Sequence, residues 1–239
     1  MHLLIETLIA AFETLSICAN KYSIEICDHN SITSSSHKKK MKNFISAALL
    51  AAILMTSCKK TKSDRQYQVN TNTSVVGWKG SAPTHFHVGS FDINGNIVAR
   101  QDGSILSGKF IIPIVSIKNF DLPDGIKNQL LDHLKTADFF NMMVHPNAYF
   151  EIINITPYSG NSGITNANKL VTGNFSMVGQ THPVTFPARI DYVGDSLKVK
   201  ATLSIDRTKW GMTKFNDPLA TDYLLPNADI SLDIQAAKQ

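Results

Sequence analysis

Cysteine is scarce and confined to the start of the chain. Cys18, Cys27 and Cys58 are the three in 239 residues, and none follows residue 58. A disulfide framework therefore cannot hold the later chain, and thiol nucleophiles are excluded there. Beyond Glu25 the single glutamate is Glu151, so the glutamate pair that serves glycoside chemistry is missing. No Gly-x-Ser-x-Gly string, the mark of a serine nucleophile elbow, occurs anywhere. An excess charge of one sign is missing as well, once the chain is divided. Residues 1–57 hold five basic and four acidic side chains, and residues 58–65 hold Lys59, Lys60, Lys62 and Arg65 against Asp64. Of the 23 basic and 19 acidic residues, 14 of each remain in 66–239, which carries no net charge. No basic field is available there to hold a phosphate backbone, so nucleic acid is not an expected partner. The composition is otherwise that of a globular chain, with 43% hydrophobic and 18% charged residues.

A run long enough to span a bilayer is also lacking, which makes the one apolar run present informative. Phe44 to Met55 is interrupted only by Ser46 and follows Met41-Lys42. It falls short of the ~20 residues that a spanning helix needs. A basic start, a short apolar run and small residues before a break are the parts of a secretory signal. The break here is Thr56-Ser57-Cys58, with Leu54-Met55 before it. This resembles the bacterial lipobox, whose cysteine receives a diacylglyceryl thioether after cleavage. The expected organisation is an upstream extension and lipoprotein signal in 1–57, a tether in 58–65 and one domain in 66–239. Met41 is the alternative start of translation. Cys58 is the expected lipid attachment site and the link to the membrane.

Within 66–239 most segments alternate apolar and polar residues between turn residues, the pattern of antiparallel strands with one buried face. Leu106, Gly108, Phe110, Ile112 and Ile114 share a face, and Phe150, Ile152 and Asn154 oppose Tyr149, Glu151 and Ile153. Val171, Gly173, Phe175 and Met177 share another, as do Val184, Phe186, Ala188, Ile190 and Tyr192. Asn94-Gly95 suits a tight hairpin. Pro187 implies a bulge or an edge in its strand. The period breaks once: in 124–135, Ile126, Leu130, Leu131 and Leu134 are spaced as on a short amphipathic helix. The fold class expected is all-β, a single antiparallel barrel of about eight strands with this one helix.

Several strings in this order resemble the YceI-like family of bacterial envelope proteins. They are His87-Val88-Gly89 before Phe91, His133-Leu134-Lys135 with Asp138-Phe139-Phe140, and Pro146 with Phe150. Val171-Thr172-Gly173-Asn174-Phe175 with Gly179 and His182-Pro183-Val184, then Ile205-Asp206-Arg207 with Trp210-Gly211-Met212, complete the set. The resemblance implies a lipocalin-like barrel with an elongated interior, binding of a polyisoprenoid-type lipid, and no known chemistry.

A barrel of this size fills its lumen with side chains or holds one small ligand. The candidate lining residues are Trp78, Phe91, Phe110, Phe175, Met177 and Phe186, with Gly108 and Gly173 expected either to leave room for an alkyl chain or to mark strand bends. Arg207 is expected either to meet carbonyls or a carboxylate, or to meet a lipid head at the barrel mouth. His85 and His87 share a strand face at a spacing that can hold zinc, but no third ligand stands at a diagnostic spacing. No catalytic residue, metal or cofactor is therefore expected beyond an isoprenoid-type lipid as bound ligand. The rival readings are a stress-responsive interaction protein with a filled barrel, and a metal-dependent envelope enzyme.

Two outcomes follow for the N-terminus. Intact-mass analysis of the mature protein is expected to show cleavage between Ser57 and Cys58 with acylation of Cys58, and Cys58→Ala to yield an unacylated product. A chain begun at Met41 is expected to be exported and processed as well as the full one.

Overall fold

The computed structural model describes residues 63–239. Cys58, the signal-like run and most of the tether lie outside the described residues. The alternating segments form β1 (Arg65–Val69), β2 (Val75–Ser81), β3 (Phe86–Phe91), β4 (Asn94–Ala99), β5 (Ile105–Pro113) and β6 (Lys118–Asn119). After the helix α1 (Asp124–Leu134) come β7 (Asn147–Pro157), β8 (Lys169–Met177), β9 (Gln180–Val193), β10 (Ser196–Asp206) and β11 (Asn227–Lys238).

Every pairing is antiparallel, and the strands follow one another in the order β1-β4-β5-β7-β8-β9-β10-β11-β2-β3-β6. β2 and β1 lie end to end along β11, through Ala228↔Gly80 to Asp233↔Val75 and then Ala236↔Val69 to Lys238↔Tyr67. β3 and β4 lie end to end in the same way along β2 and β1. Counted as ribbons, the sheet is an eight-stranded barrel that the β1–β11 pairing closes. Closure replaces the two full edges of an open sheet by one short unpaired stretch between β9 and β10.

At the kink between β1 and β2 the ladder of β11 would lose partners, and a side chain replaces them. Ser74, 6% exposed, donates its hydroxyl to the Gln235 carbonyl at 3.1 Å and accepts from the Gln235 N–H at 2.9 Å. Asn70 N–H donates to the same carbonyl at 2.8 Å.

Three strand details depart from simple alternation. Ala99 pairs with Ile105 while Val98 pairs with Ser107, so Leu106 is the extra residue of a bulge. Ile105 therefore turns inward and Leu106 outward, where it is 37% exposed. A second shift, between Ile152↔Gly173 and Asn154↔Thr172, makes Ile153 the extra residue. The inner face passes from Ile152 to Ile155, and both Ile153 and Asn154 are exposed. Asn94-Gly95 is not a hairpin, because β3 runs on into β4 without reversal. Gly95 is there for close approach: a Cβ on it would strike the Lys109 carbonyl and the Phe110 ring of β5. Pro187 falls where expected, at an edge. β10 pairs with β9 only over 188–193, leaving the stretch before it, with Pro183 and Pro187, unpaired on that side.

One end of the barrel is filled. Tyr67, Leu197, Ala99, Ala188 and Ala236 are at most 2% exposed there. The Tyr192 ring packs edge-on to Tyr67 at 5.9 Å and donates its hydroxyl to the Gly103 carbonyl at 2.9 Å. Burial, then the neighbouring Tyr67, pushes the Tyr192 phenol up to about 12. The opposite end carries α1 and the long segment from β10 to β11 that begins with a 3-10 turn at Arg207–Trp210.

Ser74→Ala strips Gln235 of two hydrogen bonds, both made by one hydroxyl, in a largely buried setting. It is expected to lower unfolding free energy by about 1–3 kcal/mol, measured by chemical denaturation against the unmodified chain.

Candidate functional site

The filled end stops partway along the barrel. Above it lies an apolar cavity of about 270 Å³ with its floor at Ile97, Ile105, Ile155 and Ile190. An apolar cavity of ~150 Å³ already stays dry and accepts a benzene-sized guest. The space opens at the helix-bearing end, where Ser81, His87, Leu130, Leu134, Leu224, Leu225 and Asn227 surround it.

Trp78, Phe91, Phe110, Phe175, Met177, Phe186 and Arg207 all line this cavity. Alternation explains the six apolar ones, since each occupies an inward position on β2, β3, β5, β8 or β9. Their packing is edge-on or tilted rather than stacked. Phe91 meets Phe140 at 5.5 Å, and Phe150 meets Phe110 at 6.1 Å and Phe186 at 5.8 Å. Trp78 donates its indole N–H to the Lys118 carbonyl at 3.2 Å, which holds the ring against the wall.

The two interior glycines do not act as gaps for a ligand. A Cβ on Gly173 would strike the Phe150 ring and the Glu151 carbonyl, and one on Gly108 would lie 2.6 Å from Ile152 Cδ1. Their missing side chains let Phe150 and Ile152 of β7 lie against the neighbouring strands β8 and β5. Glycine on one strand thus sets the position of an aromatic on the next.

Arg207 is 7% exposed and has no carboxylate partner in hydrogen-bond contact among the described residues. Its Nε donates to Leu225 O at 3.3 Å, and one terminal nitrogen to the carbonyls of Met212 and, at 3.0 Å, Lys214. The other donates to Phe215 O at 3.3 Å and Leu224 O at 3.0 Å. A guanidinium has five N–H groups, and five loop carbonyls take them. Burial pushes its pKa below the ordinary value, and Asp206 and Tyr223 act against that shift. Arg207 thus staples the segment that carries Leu224 and Leu225 over the mouth.

Sequence reasoning missed the lining supplied outside the strands, by Leu130 and Leu134 of α1 and by Phe139, Phe140, Met212, Leu224 and Leu225 of irregular segments. Periodicity marked the apolar face of α1 but not where it docks, and it gives no inward direction in irregular segments, so only burial in the fold reveals them. Asp138 meets His133 at 3.1 Å, at the turn that brings Phe139 and Phe140 inward. Trp210, 2% exposed, donates to Phe175 O at 3.0 Å and packs edge-on against His182 and Phe175.

His85 and His87 do stand together, with ring centroids 5.4 Å apart. Among the described residues no group of three His, Cys, Asp or Glu side chains could hold a metal ion. His87 instead pairs with Asp121, Nδ1 to Oδ2, at 2.7 Å. The second oxygen of Asp121 accepts from Val88 N–H at 2.9 Å and from the Asn119 amide at 2.7 Å. Burial raises the Asp121 carboxyl, but these bonds, that from His87 foremost, outweigh it and leave the group below the usual carboxylate range.

In overall form the barrel is similar to BcnA of Burkholderia cenocepacia, at 20% identity over 71% of this chain and 99% of that one, with a TM-score of 0.58. It is also similar to a polyisoprenoid-binding domain of Saccharophagus degradans, at 10% identity over 72% and 98% of the two chains, with a TM-score of 0.54. At such identities the likeness shows the fold alone. No curated protein matches the chain. Residues 67–236, from the first closing pair of the barrel to the last strand, match the YceI-like domain, and the chain belongs to that family.

Proposed function

We propose that this chain binds an isoprenoid-type or other long apolar lipid inside its barrel, and stores or carries it in the bacterial cell envelope. The observation that carries the reading is a cavity of about 270 Å³, walled by aromatic and branched aliphatic side chains and open at one end. An alkyl chain needs no polar partner in such a space, since each buried CH₂ contributes ~0.8 kcal/mol. Branched methyl groups pack well against the mixed Phe and Ile wall. Membership of the YceI-like family and a neighbour of the same fold named for polyisoprenoid binding support the same ligand class. Attachment to a membrane through acylated Cys58, facing the periplasm or the cell surface, belongs to this proposal and rests on the signal-like sequence before it. The reading is of binding without catalysis. Its support is that neither carboxylate–histidine pair near the open end, His87–Asp121 or His133–Asp138, has a hydroxyl hydrogen-bonded to its ring among the described residues.

Organic extraction of the purified full chain, followed by mass spectrometry, is expected to release an isoprenoid-type lipid. Ala148 lines the cavity and is 2% exposed, so Ala148→Phe grows into the lumen. That variant is expected to lose the cargo while its circular dichroism spectrum stays that of the parent. A native protein that carries no lipid, and takes up no added isoprenoid, would leave the interaction-protein reading in its place.

A further inference from the structure

The cavity wall is apolar, and its few polar groups gather at the mouth. Of those, the Trp78 N–H and all five Arg207 N–H groups are spent on backbone carbonyls. The Lys79 ammonium lies 4.5 Å over the Phe86 ring, on the outer side of its strand. What remains is Ser81, His87 and Asn227. Gly80 pairs with His87 on one side and with Ala228 on the other, so these three stand at the same end of adjacent strands β2, β3 and β11.

Two observations single out His87 among them. Asp121 is fixed by three donors and bonds Nδ1 of the ring. An ionised carboxylate only accepts, so Nδ1 carries a proton, and whenever the ring is neutral Nε2 is its acceptor. That nitrogen has no partner among the described residues. Beside it, a Cβ built on Gly80 meets nothing within 4 Å, although Gly80 faces inward opposite His87. There is open space next to an unused, oriented acceptor at the rim of a lipid-sized cavity.

We propose that His87 Nε2 and the space over Gly80 form a head-group site that accepts a hydrogen bond from a neutral hydroxyl head, an alcohol or phenol, on the apolar cargo. The proposal rests on the lipid-binding reading and narrows it. A phosphate head is disfavoured by the same geometry. The Arg207 guanidinium is spent on carbonyls and the Lys79 ammonium lies outward over the Phe86 ring, so neither cation is turned into the mouth, and the Asp121 carboxylate stands behind His87 at 2.7 Å. A phosphate there would be an unpaired charge against an apolar wall. Asp121 is a positioning residue, acting only through the orientation of the ring.

The test offers delipidated full-length protein an equimolar mixture of geranylgeraniol, its methyl ether and its monophosphate, read by native mass spectrometry. The alcohol is expected to occupy the protein about 3- to 10-fold over the ether, the range of one net hydrogen bond, and over the monophosphate as well. His87→Phe is expected to erase the alcohol-over-ether preference while total lipid uptake persists. Asp121→Asn, which keeps shape but removes the orienting charge, should reduce the preference. Gly80→Leu, which fills the space beside the ring, should reduce it with His87 intact. Equal uptake of alcohol and ether by the parent protein, an unchanged preference in His87→Phe, or preference for the monophosphate each overturn the head-group site and leave the lipid-binding reading standing. Uptake of none of the three overturns both.

Discussion

Three residue pairs, Tyr67 with Lys238, Gln68 with Ala237 and Val69 with Ala236, join the first strand to the last, and the interior volume depends on that join. Closing eight strands fixes a lumen that side chains can just fill or that can hold one small ligand. The sequence answers this differently at the two ends. At one, Tyr67 and Leu197 are drawn in beside small alanines, and nothing is left over. At the other, aromatic side chains line the wall edge-on and the middle stays empty. Because β1 and β2 must both follow β11, the kink between them is part of the same constraint, and the Ser74 hydroxyl keeps the ladder satisfied across it.

The open end needs a rim that is neither strand nor solvent. A long irregular segment over an apolar mouth would expose its carbonyls to a poor environment, and buried carbonyls require donors. Arg207 meets this need with one side chain for five carbonyls from residues 212 to 225. A carboxylate partner would have taken two of those donors and left carbonyls unpaired. The cation in the wall is therefore a structural element of the mouth, and its charge is already answered by backbone dipoles. This is why a barrel with an arginine in its lining still presents an apolar interior.

Much of the barrel was readable in residue order. Period-two alternation is written directly in Val171–Met177 and Val184–Ile190, and the six apolar lining candidates follow from it. The helix at 124–134 was readable from Leu130, Leu131 and Leu134. The bulges at Leu106 and Ile153 were not, because an extra residue leaves no local mark except a run of two apolar residues in place of one. Asn94-Gly95 misled for a related reason. Glycine serves both tight turns and close approach, and only the position of β5 tells which. Gly108 and Gly173 were read as space, when each is filled from the neighbouring strand. The His87–Asp121 pair spans 34 residues of sequence, and no pattern along the chain links a strand histidine to an aspartate in a later loop.

The glycine–aromatic complementarity also explains how an empty lumen coexists with a well-packed wall. A cavity survives folding only if the side chains around it cannot relax inward. Phe150 is held by the absence of a Cβ on Gly173 behind it and by the Phe110 and Phe186 rings on either side. Trp78 is held by its bond to Lys118 O, and Phe175 by the Trp210 ring that also hydrogen-bonds its carbonyl. Each large ring is fixed from the outside of the lumen, so the inner surface keeps its shape without a guest. A preformed apolar space avoids the ordering cost that a collapsed one would impose on each binding event. The wall is then indifferent to which alkyl chain enters, and discrimination between ligands must be made where polar groups remain, at the mouth.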